Sequence, residues 1–386
     1  MFAILQLSGP ALLGRFGLLA SIHLVVIYLA GFEFHAFTTR RYARHPGDRQ
    51  LRLAVACHRS MLTISVPLAL VSGAILAWTF NVDLTPLEMA FFCTTVAVAA
   101  VTQEIVRFLV LAKNPIYSVL IGALRTAYWQ PFALIFLLHS SSLLPVLTGW
   151  AIGEVAALIW AILLLRRGIF SRVSIKSHYL LHGLWVARRF YLTATASVVQ
   201  GNLERFVLQT FLGPEAVGIY SFFQNLASTL PALVQASVFN VWLPQILNHF
   251  GRQSAERSSM LRRVVRRTWL TSCALGGLIA CGVILLSLLT GHQTYVTQSW
   301  VLFMLIFAQI LQLWTQPLYL AMYGAHRDGA IMRLSLILLA VSLLLSISLI
   351  SSFGIAGAAL SQLLGSAAIA LSRSAMFRLF ARRGLV

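Results

Sequence analysis

The sequence predicts an all-α polytopic membrane protein, with eleven transmembrane helices in two pseudo-symmetric bundles, five plus six. Three observations carry that prediction. Of 386 residues, 59% are hydrophobic and 10% charged, and the mean hydropathy is +0.84; a soluble domain carries about 25% charged residues. The apolar segments run on for the ~20 residues that a spanning helix needs. They lack the alternation over ~10-residue strands that marks a membrane barrel. Basic loops and uncharged or acidic loops alternate along the chain.

Residues 1–12 are apolar but too short to cross, and the first span covers about 13–37. The segment TTRRYARHPGDRQLRLAVACHR follows, with Arg40, Arg41, Arg44, Arg49, Arg52 and Arg59 against one acid, Asp48. Such a loop belongs in the cytoplasm. Span two is about 60–80 and leads to the outer turn NVDLTP. Span three, about 88–111, ends at the inner turn Lys113-Asn114-Pro115. Span four is about 117–138, HSSS lies outside, and span five is about 143–165. These make the first bundle, residues 1–165.

The linker 166–189 carries Arg166, Arg167, Arg172, Lys176, Arg188 and Arg189 and no acid. Its Ile175, Tyr179, Leu180, Leu184 and Trp185 predict an amphipathic helix on the cytoplasmic surface. The second bundle is 190–386. Its spans are about 190–211, 218–246, 268–290, 299–321, 333–351 and 355–377. Of 29 basic residues, only Arg15 and Arg205 fall outside cytoplasmic loops or the cytoplasmic halves of spans. That places the amino end outside and the carboxyl end in the cytoplasm. The net charge of +19 is therefore the positive-inside signal and not a nucleic-acid surface; it also favours anionic membrane lipid.

Leu7 to Leu19, LSGPALLGRFGLL, repeats as Phe211 to Phe223, FLGPEAVGIYSFF. At an offset of 204 residues, Gly9-Pro10 falls on Gly213-Pro214, Gly14 on Gly218 and Phe16 on Tyr220. At an offset of 208, Arg125 falls on Arg333, Gly149 on Gly357 and Glu154 on Gln362. The chain reads as an internal duplication. The second half has a full span before its Gly-Pro turn and the first has only MFAILQL. The first helix of the first repeat is thus expected to be missing, through a misplaced start or a truncated gene.

Around ERFVLQTFLGPEAVGIYSFFQNL the sequence resembles the multidrug/oligosaccharidyl-lipid/polysaccharide exporter superfamily. Within it, the likeness is to O-antigen-type oligosaccharide flippases. The matching residues are Glu204, Arg205, then Leu212-Gly213-Pro214-Glu215, Gly218 and Tyr220. The first copy departs, with Ser8, Ala11 and Phe16 at the Leu, Glu and Tyr positions. The resemblance implies twelve helices in two bundles around a lateral cavity that alternates between membrane faces. It implies a non-enzymatic transporter in the bacterial inner membrane that carries a polyprenyl-pyrophosphate-linked oligosaccharide. The polysaccharide polymerase machinery is a further partner, and no cofactor is implied.

A charge within the ~30 Å hydrocarbon core is costly and marks a functional candidate. Arg205 lies seven residues before the end of its span and offers a planar fork to phosphate oxygens. The alternative is that it snorkels or pairs with Glu204 or Glu215. Glu204 positions this arginine or takes up a proton. Arg15 faces the cavity mouth or the outer headgroups. Arg125 begins a span as an anchor or a head-group contact. Glu104 and Arg107, at i and i+3, share a helix face and make an internal ion pair or a coupling site. Glu154 and Glu33 are further coupling candidates. Gly149, Gly153, Gly354 and Gly357 allow close helix packing. Pro67, Pro131, Pro231 and Pro317 lie inside spans as kinks.

Four scattered cysteines, without C-x-x-C, indicate neither a disulfide framework nor a zinc site. The pair His178 and His182 lacks a third ligand, and no metal is expected. A membrane polymerase or glycosyltransferase needs catalytic side chains on a sizeable outer loop, and the outer loops here hold about ten residues or fewer. A drug or cation exporter needs cavity acids without arginines.

Overall fold

The computed structural model describes residues 2–44, 47–111, 117, 120–122, 124–125, 129–138, 142–164, 177–251, 256–290 and 297–383. Those residues are helical and include no strand. The turn Lys113-Asn114-Pro115, most of GHQTYVTQ, and Arg166, Arg167, Arg172 and Lys176 lie outside them.

The chain divides into two compact units, Met1–Val198 and Val199–Val386. The first holds α1 (Phe2–Gly31), α2 (Phe34–Arg44), α3 (Asp48–Thr79), α4 (Pro86–Leu111), α5 (Trp129–Leu137) and α6 (Leu143–Leu164). It also takes the first part of α7 (Ser177–Leu212), inside which the boundary falls. The second unit continues with α8 (Pro214–Val234), α9 (Asn240–Gly251), α10 (Arg257–Thr290), α11 (Ser299–Gly324), α12 (Asp328–Phe353) and α13 (Ile355–Arg382). Among the described residues, seven helices are long and apolar enough to cross a membrane, within α1, α3, α4, α6, α11, α12 and α13. Helices also occupy the expected spans six to eight, as α7, α8 and α10, and α5 lies in the last part of span four. The protein is multi-pass.

The duplication is visible in backbone and packing. Gly9 has φ 78 and ψ 174, and Gly213 has φ 79 and ψ −173. Both are left-handed positions that glycine adopts without strain. Proline follows each, pre-set for a first helical turn. The packing pairs also recur: α1 on α3, α3 on α4, α4 on α6 and α5 on α6 match α8 on α10, α10 on α11, α11 on α13 and α12 on α13. The short helices match too, since α2 packs on α3 and α4, and α9 on α10 and α11. Phe16 and Tyr220, equivalent in sequence, are both almost fully buried. Phe16 sits 5.3 Å from Trp129 and 5.4 Å from Trp150, centroid to centroid.

Three expectations are corrected. The first span ends at Gly31 and not near residue 37, because Phe32 and Glu33 take positive φ (49 and 47) and turn the chain into α2. The basic loop after it is helical, forming α2 and the first turns of α3. The amphipathic segment from Ser177 is continuous with span six as α7. Its Tyr179, Leu180 and Leu184 pack on Phe37, Cys57 and Met61, a protein surface and not lipid. Trp185 of the same stripe stays exposed at 60%, and Ile175 lies outside the described residues.

Small residues set the closest contacts. A Cβ on Gly149 would lie 2.7 Å from the backbone nitrogen of Ala133, and one on Gly153 would lie 2.6 Å from Cβ of Trp129. Gly357 is likewise closed off by the backbone of Leu349. Gly354 turns α12 into α13 at φ 58. Pro67, Pro231 and Pro317 sit inside helices, and Pro131 in the first turn of α5. After Pro231, helix α8 passes through a π turn, Gln235–Phe239. A proline that deletes one backbone bond and a widened turn beside it make a bend in the α8–α9 rod.

Since backbone cannot retreat from a new side chain, Gly149→Leu should destabilise by about 1–3 kcal/mol. Gly201→Ala, where a Cβ meets nothing within 4 Å, should change little. Thermal unfolding of the two variants in detergent checks the contrast.

Candidate functional site

Each half buries charge, and each handles it differently. In the second unit, Arg205 stands two turns before the end of α7 and is 9% exposed. Its Nη2 donates to Oδ1 of Asn225 on α8 at 2.9 Å, and Nη1 to Oδ1 of Asn202 at 3.5 Å. The two amide oxygens orient the guanidinium. Glu204 is 3% exposed beside it. Tyr220, on the facing helix, lies within electrostatic reach of both. Among the described residues, the buried Tyr220 hydroxyl, Ser221 Oγ and Gln224 Oε1 have no hydrogen-bond partner. A buried polar atom left unmade costs about 1–3 kcal/mol. Of these three atoms, the Tyr220 hydroxyl lies within electrostatic reach of Arg205.

The first unit pairs its charges. Arg107 donates to Oε1 of Glu104 at 2.5 Å and to Oε1 of Glu33 at 3.0 Å. The Nδ1 of His58 bonds Glu104, and its Nε2 lies 3.0 Å from Oγ1 of Thr38. His35 places Nδ1 3.1 Å from Glu33. Two carboxylates thus share one guanidinium and two imidazoles at the junction of α1, α2, α3 and α4. Nearby, Arg125 donates Nε to Oε2 of Glu154 at 2.9 Å and Nη1 to Gln103 at 2.7 Å. Arg125 and Glu154, separate candidates in the sequence, are partners. Their equivalents are not, because Arg333 is exposed and bonds back to Gly329 at 3.3 Å.

Arg15 is exposed and lines a cavity of about 830 Å³ at the end of the first unit opposite its arginine-rich turns. Asp83, Thr85, Glu88 and Trp78 line the same cavity. Glu88 accepts from the Thr85 backbone at 2.8 Å and so caps α4. Among the described residues Arg15 and Asp83 make no ion pair, so both charges face the opening.

The comparisons with known proteins agree with this architecture. The pattern of the family described as "Polysaccharide biosynthesis protein" matches residues 7–249, well over half of the chain. The chain belongs to that family. Its fold is shared with solved transporters. An inward-facing multidrug resistance MATE family transporter of the MOP superfamily is 13% identical, with TM-score 0.65 over 98% of this chain and 94% of that one. The lipid II flippase MurJ, inward closed, is 14% identical, with TM-score 0.61 over 97% and 86%. A MOP superfamily transporter from Pyrococcus furiosus is 10% identical, with TM-score 0.55 over 97% and 88%. At such identities the likeness establishes fold. No curated protein matches the chain in sequence at a significant level.

Two features of this family member left little trace in its sequence. Asn202 and Asn225, which hold Arg205, are ordinary polar residues until α7 and α8 are packed together. Arg373 is the other. It donates to Gln316 at 3.1 Å and stacks 4.9 Å over the Tyr319 ring, one turn from Pro317. Its nearness to the basic tail had absorbed it into the positive-inside count. Among the described residues no group of three or more His, Cys, Asp or Glu could hold a metal ion.

Removing one member of a buried ion pair strands the other, at about 3–5 kcal/mol. Arg107→Leu should therefore be the most destabilising single change in the first unit. Adding Glu104→Gln and Glu33→Gln to it should recover much of the loss. Unfolding temperatures of the single and triple variants check this.

Proposed function

We propose that this protein moves a polyprenyl-pyrophosphate-linked oligosaccharide from the cytoplasmic to the outer leaflet of a bacterial inner membrane, by alternating access, for cell-surface polysaccharide synthesis. Its physical task is narrow. The isoprenoid tail stays in the bilayer, and only the diphosphate and sugars must cross where charge is expensive. The observation that carries the reading is Arg205: a buried guanidinium held by the Asn202 and Asn225 amides, with Glu204 and the Tyr220 hydroxyl within electrostatic reach. A guanidinium oriented in this way presents a planar fork that suits phosphate oxygens.

The other candidates divide the remaining work. Glu204 positions Arg205 and limits the net charge of the empty site. Arg15, with Asp83 and Trp78 at the outer cavity, meets the sugars as they leave. Arg125, paired with Glu154 and hydrogen-bonded to Gln103, is a positioning group for α4 and α6. Glu104 belongs to a cluster of two carboxylates and one guanidinium, an excess of one acid over the permanent cation. A buried excess charge is relieved by taking up a proton. The cluster of Glu33, His35, His58, Glu104 and Arg107, with Tyr28 close by, is the proposed coupling site.

The same acid excess is what favours a second reading, a cation or drug exporter. In a strain lacking the native gene, Arg205→Ala should abolish surface polysaccharide, with lipid-linked oligosaccharide accumulating on the cytoplasmic leaflet and protein level unchanged. Normal polysaccharide with Arg205→Ala overturns the flippase reading. Accumulation of single unpolymerised units outside points to a polymerase, and drug sensitivity alone points to the exporter. Glu33→Gln should preserve binding in reconstituted vesicles while removing the dependence of flipping on a proton gradient.

A further inference from the structure

A second groove lies in the C-terminal half, between α10, α11 and the end of α13, with a volume of about 590 Å³. Trp269, Leu311, Trp314 and Leu318 form its apolar wall. The two indoles meet edge-on at 6.5 Å and 69°. Arg262 and Arg266 stand at its basic end, at i and i+4 on one face of α10. Both are exposed, and among the described residues neither makes an ion pair. Trp269 is seven residues beyond Arg262, so the groove runs about 10 Å inward from the guanidiniums. A polar, doubly cationic mouth opens onto an oily trough along the direction of the bilayer normal.

In the first unit the helix that packs as α10 does is α3. Its Cys57 and Met61 are buried beneath Phe37, Tyr179 and Leu184, supplied by α2 and α7. In the second unit α10 borders the open groove, and Trp269 is 40% exposed.

We propose that the groove is a binding site for an anionic phospholipid of the cytoplasmic leaflet, its phosphate between Arg262 and Arg266 and an acyl chain along Trp269 and Trp314. The charge pattern selects the headgroup, because basic pockets between spans at the cytoplasmic side attract anionic lipid. Abundance selects phospholipid over an isoprenoid diphosphate of the same head-and-tail design. A bulk component of the leaflet fills a site by mass action that a scarce one does not.

The test uses the full-length protein in detergent, with phosphatidylglycerol or phosphatidylethanolamine added. Lipid retention is read by native mass spectrometry, and stabilisation by thermal unfolding. The wild type should retain phosphatidylglycerol preferentially and gain stability from it. Arg262→Gln with Arg266→Gln should weaken that preference roughly 30-fold, from two cations near the surface. Arg262→Lys with Arg266→Lys should keep most of it, and Arg333→Gln, an exposed arginine on another helix, all of it. An unchanged preference in the double glutamine variant overturns the proposal. So does displacement of phosphatidylglycerol by equimolar polyprenyl phosphate, which would make the groove a substrate-loading site. Surface polysaccharide made normally by the double variant leaves the lipid site standing and separates it from transport.

Discussion

An ion in hydrocarbon must be paired, hydrated or absent, and that constraint organises both halves of this protein. The first unit satisfies it by pairing: Arg107 spans Glu33 and Glu104, and Arg125 closes on Glu154. Each pair draws its members from different helices, so the ions also fix which helix lies against which. The second unit satisfies it with amides and an aromatic face. Arg205 is held by Asn202 and Asn225, and Arg373 by Gln316 and the ring of Tyr319.

The duplicated packing explains how one scaffold carries two chemistries. Helix pairs, glycine torsions and the buried Phe16 and Tyr220 positions recur. These are backbone and volume properties, and they tolerate exchange of polar side chains at fixed sites. Where the first unit pairs Arg125 with Glu154, the second has Arg333 and Gln362, and Arg333 is exposed. The first unit covers α3 with α7, and the second leaves an open, arginine-edged groove along α10. Divergence changed what the surfaces hold while the frame stayed fixed.

Much of that frame was legible because it is periodic or local. Unbroken apolar runs mark spans. The Gly-Pro pair marks a positive-φ turn followed by a helix start. Glu104 and Arg107 at i and i+3 are bound to share a face. Gly149, Gly153 and Gly357 read as contact residues and are sites where a Cβ would strike a neighbouring helix. What was hidden is long-range. Glu33 lies 74 residues from Arg107, and Glu154 lies 29 from Arg125; nothing local ties either pair. Hydropathy also hides helices outside the membrane, which is why α2 and the start of α3 read as a loop. An amphipathic stripe reveals that a face is buried but not against what, so the start of α7 was expected on lipid and packs on protein. Arg373 was missed because a rule about ends of spans also accounts for residues that sit a few turns inside.

The buried charge differs in sign between the halves, and this bears on the proposed transport cycle. Among the described residues, Glu33, Glu88, Glu104 and Glu154 outnumber Arg107 and Arg125 in the first unit, while Arg205 and Arg373 outnumber Glu204 in the second. On the proposed cycle, a diphosphate is drawn to the second set and a proton to the first. Each excess is then neutralised by its own guest, and neutralisation alone leaves the two events independent. A ligand shifts an equilibrium only by its differential affinity for the two states, so the proposed coupling runs through a conformational change that both guests favour.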